Sequence, residues 1–308
     1  MNRRRITGDR VGVIGTGYVG LVTAAAFARL GQRVACHDID ESRLAELAAG
    51  RVPFHEPGLA ETLVEAGGLI EFTADPARLF EAADVTFVCV DTPPRPDGAA
   101  DLSRVEAAID AIPAWAHPLI VMKSTVPVGT GARITALLQR RGRGDIGYVS
   151  NPEFLREGSA MRDVLDPDRI VIGGVAAADL ERVAALYQPT TTPIIRTDTH
   201  TAELIKYASN AFLATKISFI NEIANLCDAV GAKVDTVADG MGHDQRIGRD
   251  FLNAGIGYGG SCFAKDISAL QTVADAHGVP LRIVAATQEV NARQPRLVVD
   301  RIDRKSVV

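Results

Sequence analysis

Cysteine is scarce and unpatterned. Four of 308 residues are cysteine (Cys36, Cys89, Cys227 and Cys262), and none has CxxC spacing. That speaks against a disulfide framework and a thiolate metal site, and fits a reducing compartment such as the cytoplasm. No apolar run is long enough to cross a bilayer. Basic charge is not in excess: the formal net charge is -5, so neither nucleic acid nor an anionic membrane is expected as a partner. Internal repeats and low-complexity segments are lacking. Arg3, Arg4 and Arg5 mimic the start of a signal peptide, but polar residues 6–10 and a glycine fingerprint in the next apolar stretch exclude one. These arginines read as a solvated tail. What is there is a globular composition, 47% hydrophobic and 23% charged, with length enough for two domains.

The apolar run at residues 11–14 reads as a buried strand and is followed at once by GTGYVG at 15–20, then by an alanine-rich helix to about residue 30. This is GxGxxG in its strand–turn–helix context. Gly15 makes the turn, Gly17 admits a pyrophosphate and Gly20 lets helix pack on strand, with Tyr18 and Val19 between them. A second strand, 33–39, carries Asp38, at about the spacing expected of a carboxylate for the adenosine ribose. The acid favours NAD over NADP, because it repels a 2′-phosphate. Arg43 either touches the adenosine end or stays a solvated helix arginine.

Strand and helix signals go on alternating. Strands are expected at 84–90, 119–123, 146–150 and 169–173, with a weaker one at 193–196, and helices at 102–112 and from 130. The pattern predicts a Rossmann-type, doubly wound, mainly parallel α/β sheet over residues 1–200. Ligands of such sheets lie at the carboxyl ends of the strands, so Thr92, Thr125 and the 151–153 stretch should share one crevice.

From residue 201 the texture changes to an all-helical domain, 201–308. Residues 201–230 hold no proline or glycine and read as one long central helix, with an apolar stripe of Ile205, Phe212, Phe219, Ile223, Leu226 and Val230. Such a helix should be buried over much of its circumference, in part against a second subunit. Lys206 and Asn210 share one of its faces, although a surface lysine is the ordinary reading.

Four glycines of the 255–260 loop stand before Cys262, and Lys265 and Asp266 follow it. Helices are expected at 264–277 and 280–302, so Cys262 falls where a helix begins. Unpaired N–H groups there, and a nearby lysine, favour a nucleophilic thiolate. The alternative is a buried cysteine in a glycine-rich turn.

Taken together, GTGYVG, STVPVGT at 124–130, NPEFLREGSA at 151–160, PDRIVIGG at 167–174, AELIKYASNAFLATKISFINE at 202–222 and GYGGSCFAKD at 257–266 resemble the UDP-glucose/GDP-mannose dehydrogenase family over nearly the whole chain. The wording is most similar to its UDP-glucose 6-dehydrogenase branch; GDP-mannose and UDP-N-acetylmannosamine are the alternative substrates. The resemblance implies a four-electron oxidation of a nucleotide sugar with two NAD, through a Cys262 thiohemiacetal and thioester. It implies that Lys206 and Asn210 stabilise oxygen charge, that Asp266 and Thr125 order water and move protons, and that Glu153 serves thioester hydrolysis. Glu157 would contact substrate and cofactor. Phe154, Leu155, Phe251, Leu252 and Gly259 would line the substrate pocket, Thr92 and Lys265 would lie at the cofactor, and Arg246 would reach a partner's substrate in a homodimer. Taken alone, each carboxylate reads first as a cap or salt-bridge partner, and it is the resemblance that favours the site role. Members continue into a third, carboxyl-terminal α/β domain that this sequence lacks, so a non-catalytic, NAD-binding dimer is the competing expectation.

Overall fold

The computed structural model describes residues 10–306, so the arginines at 3–5 lie outside the described residues. Two compact units divide the chain: Met1–Pro93 with Ala100–Lys206, and Pro94–Ala99 with Tyr207–Val308.

The first unit is built on eight strands: β1 (Val11–Ile14), β2 (Val34–His37), β3 (Ile70–Thr73), β4 (Val85–Val88), β5 (Leu119–Met122), β6 (Tyr148–Ser150), β7 (Ile170–Gly174) and β8 (Ile194–Thr197). Their order is β3-β2-β1-β4-β5-β6-β7-β8. Neighbours pair parallel except β6 and β7, which run antiparallel. The helices are α1 (Tyr18–Arg29), α2 (Glu41–Ala48), α3 (Leu59–Ala66), α4 (Pro76–Ala82), α5 (Ser103–Asp110), α6 (Thr130–Arg140), α7 (Ala160–Leu165) and α8 (Ala177–Leu186). This is the expected doubly wound sheet.

The central strands VGVI, VTFV and LIVM are buried at every position, because helices cover both faces and leave no polar side to alternate with. The edge strands β3 and β8 are partly exposed. Val11, Phe27, Phe87, Val121 and Ile172 share one core cluster, and Ile14, Leu79, Val88, Ile120 and Met122 share another. Truncating one such side chain to Ala removes about 2–5 kcal/mol.

The 32-residue helix α9 (Thr199–Val230) starts in the first unit and continues through the second, which adds α10 (Val234–Gly242), α11 (Ser261–Ala276) and α12 (Arg282–Ser306). The face α9 buries is made mostly of small residues, Ala211, Ala214, Ser218 and Ala224, together with Tyr207, Ile220 and Asn221. Of the apolar stripe, Ile205 and Ile223 are partly buried, Ile223 against Ile220, and the rest lies elsewhere. Phe212 (66% accessible), Phe219, Leu226 and Val230 are exposed in the single chain. Small side chains let neighbouring helices approach closely, which is why they, rather than the stripe, meet this chain's own core.

Candidate functional site

The glycine turn of the first unit assigns each glycine a separate task. Gly15 adopts φ +93°, and a Cβ there would come within 2.9 Å of the Cys89 carbonyl. A Cβ on Gly20 would overlap the Gly15 carbonyl at 1.8 Å. Gly17 faces open space, with no atom within 4 Å of an added Cβ. It is the N-cap of α1, without a side-chain cap and with no acid in the first turn. That leaves the positive end of the helix to an anion.

Asp38 follows β2 and is buried. Its Oδ2 accepts from Thr16 N (2.7 Å) and Thr16 Oγ1 (2.8 Å), and its Oδ1 from Asp40 N (3.0 Å). Arg43 Nη1 lies 3.2 Å from Oδ2. Burial pushes this carboxyl up, but the hydrogen bonds from Thr16 and Asp40, with the Arg43 charge, outweigh it and hold it below the usual range. Open space at a helix N-terminus and an ionised carboxylate after the next strand fit a dinucleotide without a 2′-phosphate. Arg43 is thus engaged with Asp38 rather than solvated.

Tyr18 opens α1 and donates its hydroxyl to Glu56 Oε2 (2.5 Å), with its ring tilted against Phe54. Glu56, buried and not singled out by the sequence reading, also accepts from Gly158 N (2.9 Å) and Ala160 N (2.8 Å). It anchors the stretch that carries Glu157, whose side chain is exposed. Val19 packs against the core.

Because β4, β5 and β6 are parallel neighbours, Thr92, Thr125 and residues 151–153 emerge on one edge of the sheet. Thr92 Oγ1 donates to the Thr125 carbonyl (2.8 Å). Lys206, 5% accessible, is not a surface lysine: its Nζ donates to Glu153 Oε1 at 2.7 Å. Glu153 Oε2 accepts from Leu155 N (2.6 Å). Burial drives the Glu153 carboxyl up, yet Lys206, the Leu155 amide and the more distant Lys123 hold it ionised, below its ordinary range. The Phe154 ring has the Arg169 guanidinium 3.8 Å from its centroid and Lys206 Nζ at 5.6 Å. A cleft of about 330 Å³ opens here, lined by Lys123, Asn151, Glu153, Phe154, Arg169 and Tyr187 among others. Lys123 is buried, with Nζ 3.2 Å from both Asn151 Oδ1 and Tyr187 OH. The sequence signal for it was only its place at a strand end.

In the second unit Gly257 (φ +109°) and Gly260 (φ +77°) lead into α11, which begins at Ser261, three residues before the expected start. Cys262 therefore lies in the first helical turn. It is exposed, whereas Cys36, Cys89 and Cys227 are buried. Burial pushes the Cys89 thiol up to about 12 and raises Cys36 as well. Asp266 is four residues on, on the same helix face. It is 1% accessible and accepts from Asn210 Nδ2 (2.6 Å) and Lys265 Nζ (2.7 Å).

Of the remaining expected residues, Phe251 has φ +64° and meets Phe263 edge-on, and Gly259 is exposed. Leu252 is buried in a cluster with Ile220 and Ala238. The Arg246 side chain is 88% accessible and paired with Asp244 at 2.6 Å. Among the described residues no cluster of three His, Cys, Asp or Glu could hold a metal, and no helix is long and apolar enough to cross a membrane.

Residues 9–191 match the NAD binding domain of the UDP-glucose/GDP-mannose dehydrogenase family, and residues 200–293 its central domain. The UDP-glucose 6-dehydrogenase TuaD of Bacillus subtilis is 48% identical over 95% of this chain and 65% of its own length. For the Rhizobium meliloti UDP-glucose 6-dehydrogenase the figures are 47%, 93% and 68%. The chain thus spans about two thirds of the length of these relatives. A UDP-glucose dehydrogenase structure from Pyrobaculum islandicum superposes with TM-score 0.93 at 41% identity, covering 98% of this chain and 72% of that one. A GDP-mannose dehydrogenase structure from Pseudomonas aeruginosa gives 0.74 at 31%, covering 96% and 71%. With the glycine turn, the Asp38 carboxylate and both domain matches in hand, the chain is placed as a member of the UDP-glucose/GDP-mannose dehydrogenase family.

Proposed function

We propose that the chain carries the chemistry of an NAD-dependent UDP-glucose 6-dehydrogenase, oxidising the C6 alcohol of a nucleotide sugar to a carboxylate. The observation that carries this reading is the exposed Cys262 in the first turn of α11, with three other cysteines buried. NAD, when bound, supplies the hydride acceptor for both oxidations. The alcohol loses a hydride and a proton to give the aldehyde. The Cys262 thiolate adds to the aldehyde carbon, forming a C–S bond, and the oxygen takes a proton as a thiohemiacetal. Loss of a second hydride and that proton leaves a thioester. Water then cleaves the C–S bond, returning the thiol and releasing the acid.

Lys206 and Asn210 supply a cation and an amide donor to the developing oxygen charge. Glu153, held ionised, assists attack of water on the thioester, with Asp266 and Thr125 ordering water. Phe154, Leu155, Glu157, Phe251, Leu252 and Gly259 contact the sugar nucleotide, and Thr92, Glu157 and Lys265 the cofactor. The exposed stripe of Phe212, Phe219 and Leu226, at seven-residue spacing, supports a homodimer through α9, in which Arg246 reaches the partner's substrate. A cytoplasmic location accords with four scattered cysteines, none at CxxC spacing.

Absorbance at 340 nm with UDP-glucose, GDP-mannose and UDP-N-acetylmannosamine tests the reading. Two NADH per UDP-glucose are expected. NAD binding with no NADH from any of the three would leave a cofactor-binding dimer without catalysis.

A further inference from the structure

Residues 255–260 adopt neither helix nor strand, and carboxamide side chains meet their backbone polar groups. Asn221 Oδ1, on α9, accepts from Gly255 N (2.7 Å), and Gln294 Nε2, on α12, donates to the Gly255 carbonyl (2.9 Å). Asn291, one turn before Gln294, holds Tyr258 at both ends. Its Oδ1 accepts from Tyr258 N (2.7 Å), and its Nδ2 donates to the Tyr258 carbonyl (3.1 Å). A neighbouring strand residue would offer the same pair of bonds. A carboxamide carries its donor and its acceptor on separate atoms, so one uncharged side chain can meet an N–H and a C=O at once.

Gly257 sits beneath this contact. A Cβ there would come within 2.5 Å of Asn291 Oδ1, so the missing side chain is what lets loop and amide meet. The support extends further. Gln294 Oε1 accepts from Asn225 Nδ2 (3.1 Å), Asn225 Oδ1 accepts from Arg301, and Arg301 pairs with Asp228 (2.7 Å). Every member of the network belongs to the second unit.

We infer that Asn291, with Gln294 and Asn221, is the positioning device for Cys262: the three amides fix the glycine loop so that α11 begins at Ser261 and the thiol stands in its first turn. The inference rests on Cys262 being the nucleophile. Asn291 has no contact with the reacting atoms in this reading; it acts through the loop. Without its two bonds the loop gains conformational freedom, the first turn of α11 frays, and the thiol is no longer held at the helix terminus.

The test is iodoacetamide alkylation of the full chain at pH 7, with the label at each of the four cysteines resolved by mass spectrometry. Asn291→Ala is expected to slow Cys262 alkylation roughly two- to fivefold, the range a helix terminus contributes to a nearby charge. Asn291→Asp keeps the acceptor for Tyr258 N and loses the donor, and should fall between the two. Gln288→Ala removes an amide from α12 that bonds Ser268 rather than the loop, and should match wild type. Cys36, Cys89 and Cys227 should stay unlabelled throughout. Alkylation of Cys262 in Asn291→Ala at the wild-type rate would overturn the inference. So would labelling of the three buried cysteines in step with the change at Cys262, because that marks unfolding and not positioning. If Asn291→Ala does not fold, a folded Asn291→Asp that alkylates at the wild-type rate overturns it equally. The assay uses neither NAD nor sugar nucleotide, so a chain that forms no NADH would remove the proposed reaction and leave the amide clamp standing.

Discussion

Replacing Lys206 by Met should reveal how much of the first unit's stability hangs on one buried ion pair. Lys206 and Glu153 are 6% and 11% accessible at their side chains, and their hydrogen bond is 2.7 Å long. Met fills the space but leaves the carboxylate behind. Breaking a buried pair by removing one partner costs about 3–5 kcal/mol. Glu153 keeps the Leu155 amide and the field of Lys123, so the lower end, about 3 kcal/mol, is expected. At about 2–4 °C per kcal/mol, the melting temperature should drop by roughly 6–12 °C.

The sign with pH follows from Glu153. In the wild type its carboxyl is held below the ordinary range, so its contribution is present above the unfolded value and lost as pH falls through the folded one. In Lys206→Met burial dominates and raises it. The protonated form then folds without cost at low pH, and stability is lost as pH rises through the raised value. The gap between variant and wild type should therefore be wide at pH 7 and narrow at pH 4.5, and Glu153→Gln in the same chain should close most of it. Thermal unfolding followed by circular dichroism at both pH values reads this out. A drop below about 1 kcal/mol at pH 7, or an equal drop at pH 4.5, would refute the argument.

Gly20→Ala, with a Cβ 1.8 Å from the Gly15 carbonyl, should cost about 2–3 kcal/mol in chemical denaturation. Gly17→Ala meets no atom, so it should leave stability within about 0.5 kcal/mol. It should still weaken NAD binding about tenfold in a fluorescence titration, because the pyrophosphate approaches there. Cys262→Ser changes an exposed atom: the melting temperature should hold while release of sugar acid, followed by chromatography, falls more than about 10²-fold. Phe212→Asp with Leu226→Asp should convert a dimer to a monomer in multi-angle light scattering and leave the helical signal intact, since both side chains are exposed in the single chain.

The sheet was legible where sequence and burial coincide. The runs VGVI, VTFV and LIVM contain nothing a solvated face would need, and GTGYVG follows the first of them at once and opens an alanine-rich helix. Strand β3 (IEFT) escaped notice because an edge strand of four residues is half exposed and carries little pattern. The reversal of β7 was invisible for another reason: a buried apolar run reads alike in both directions. The stripe of α9 was found, but a large apolar side chain says only that a residue wants cover. The small row from Ala211 to Ala224 is what the chain itself covers. Lys206 and Glu153 lie 53 positions apart, and Asn291 and Tyr258 lie 33 apart. No local rule joins such partners; they meet because packed elements bring them together. Glu56 and Asn291 could have been flagged only as polar residues with no periodic reason to be where they are.

The turnabout at β7 reshapes the binding edge. Were all eight strands aligned alike, that edge would hold only the places where strands finish. Since β7, and β8 beside it, travel the other way, β7 delivers its opening there, and residues 166–169 arrive with it. Drawn the usual way round, the five-residue strand would have carried Arg169 roughly 17 Å off to the far rim. The reversal that begins at β7, and that β8 follows, thus hands the cleft a guanidinium to lay across Phe154, recruited from a stretch of chain that such sheets ordinarily keep at their back.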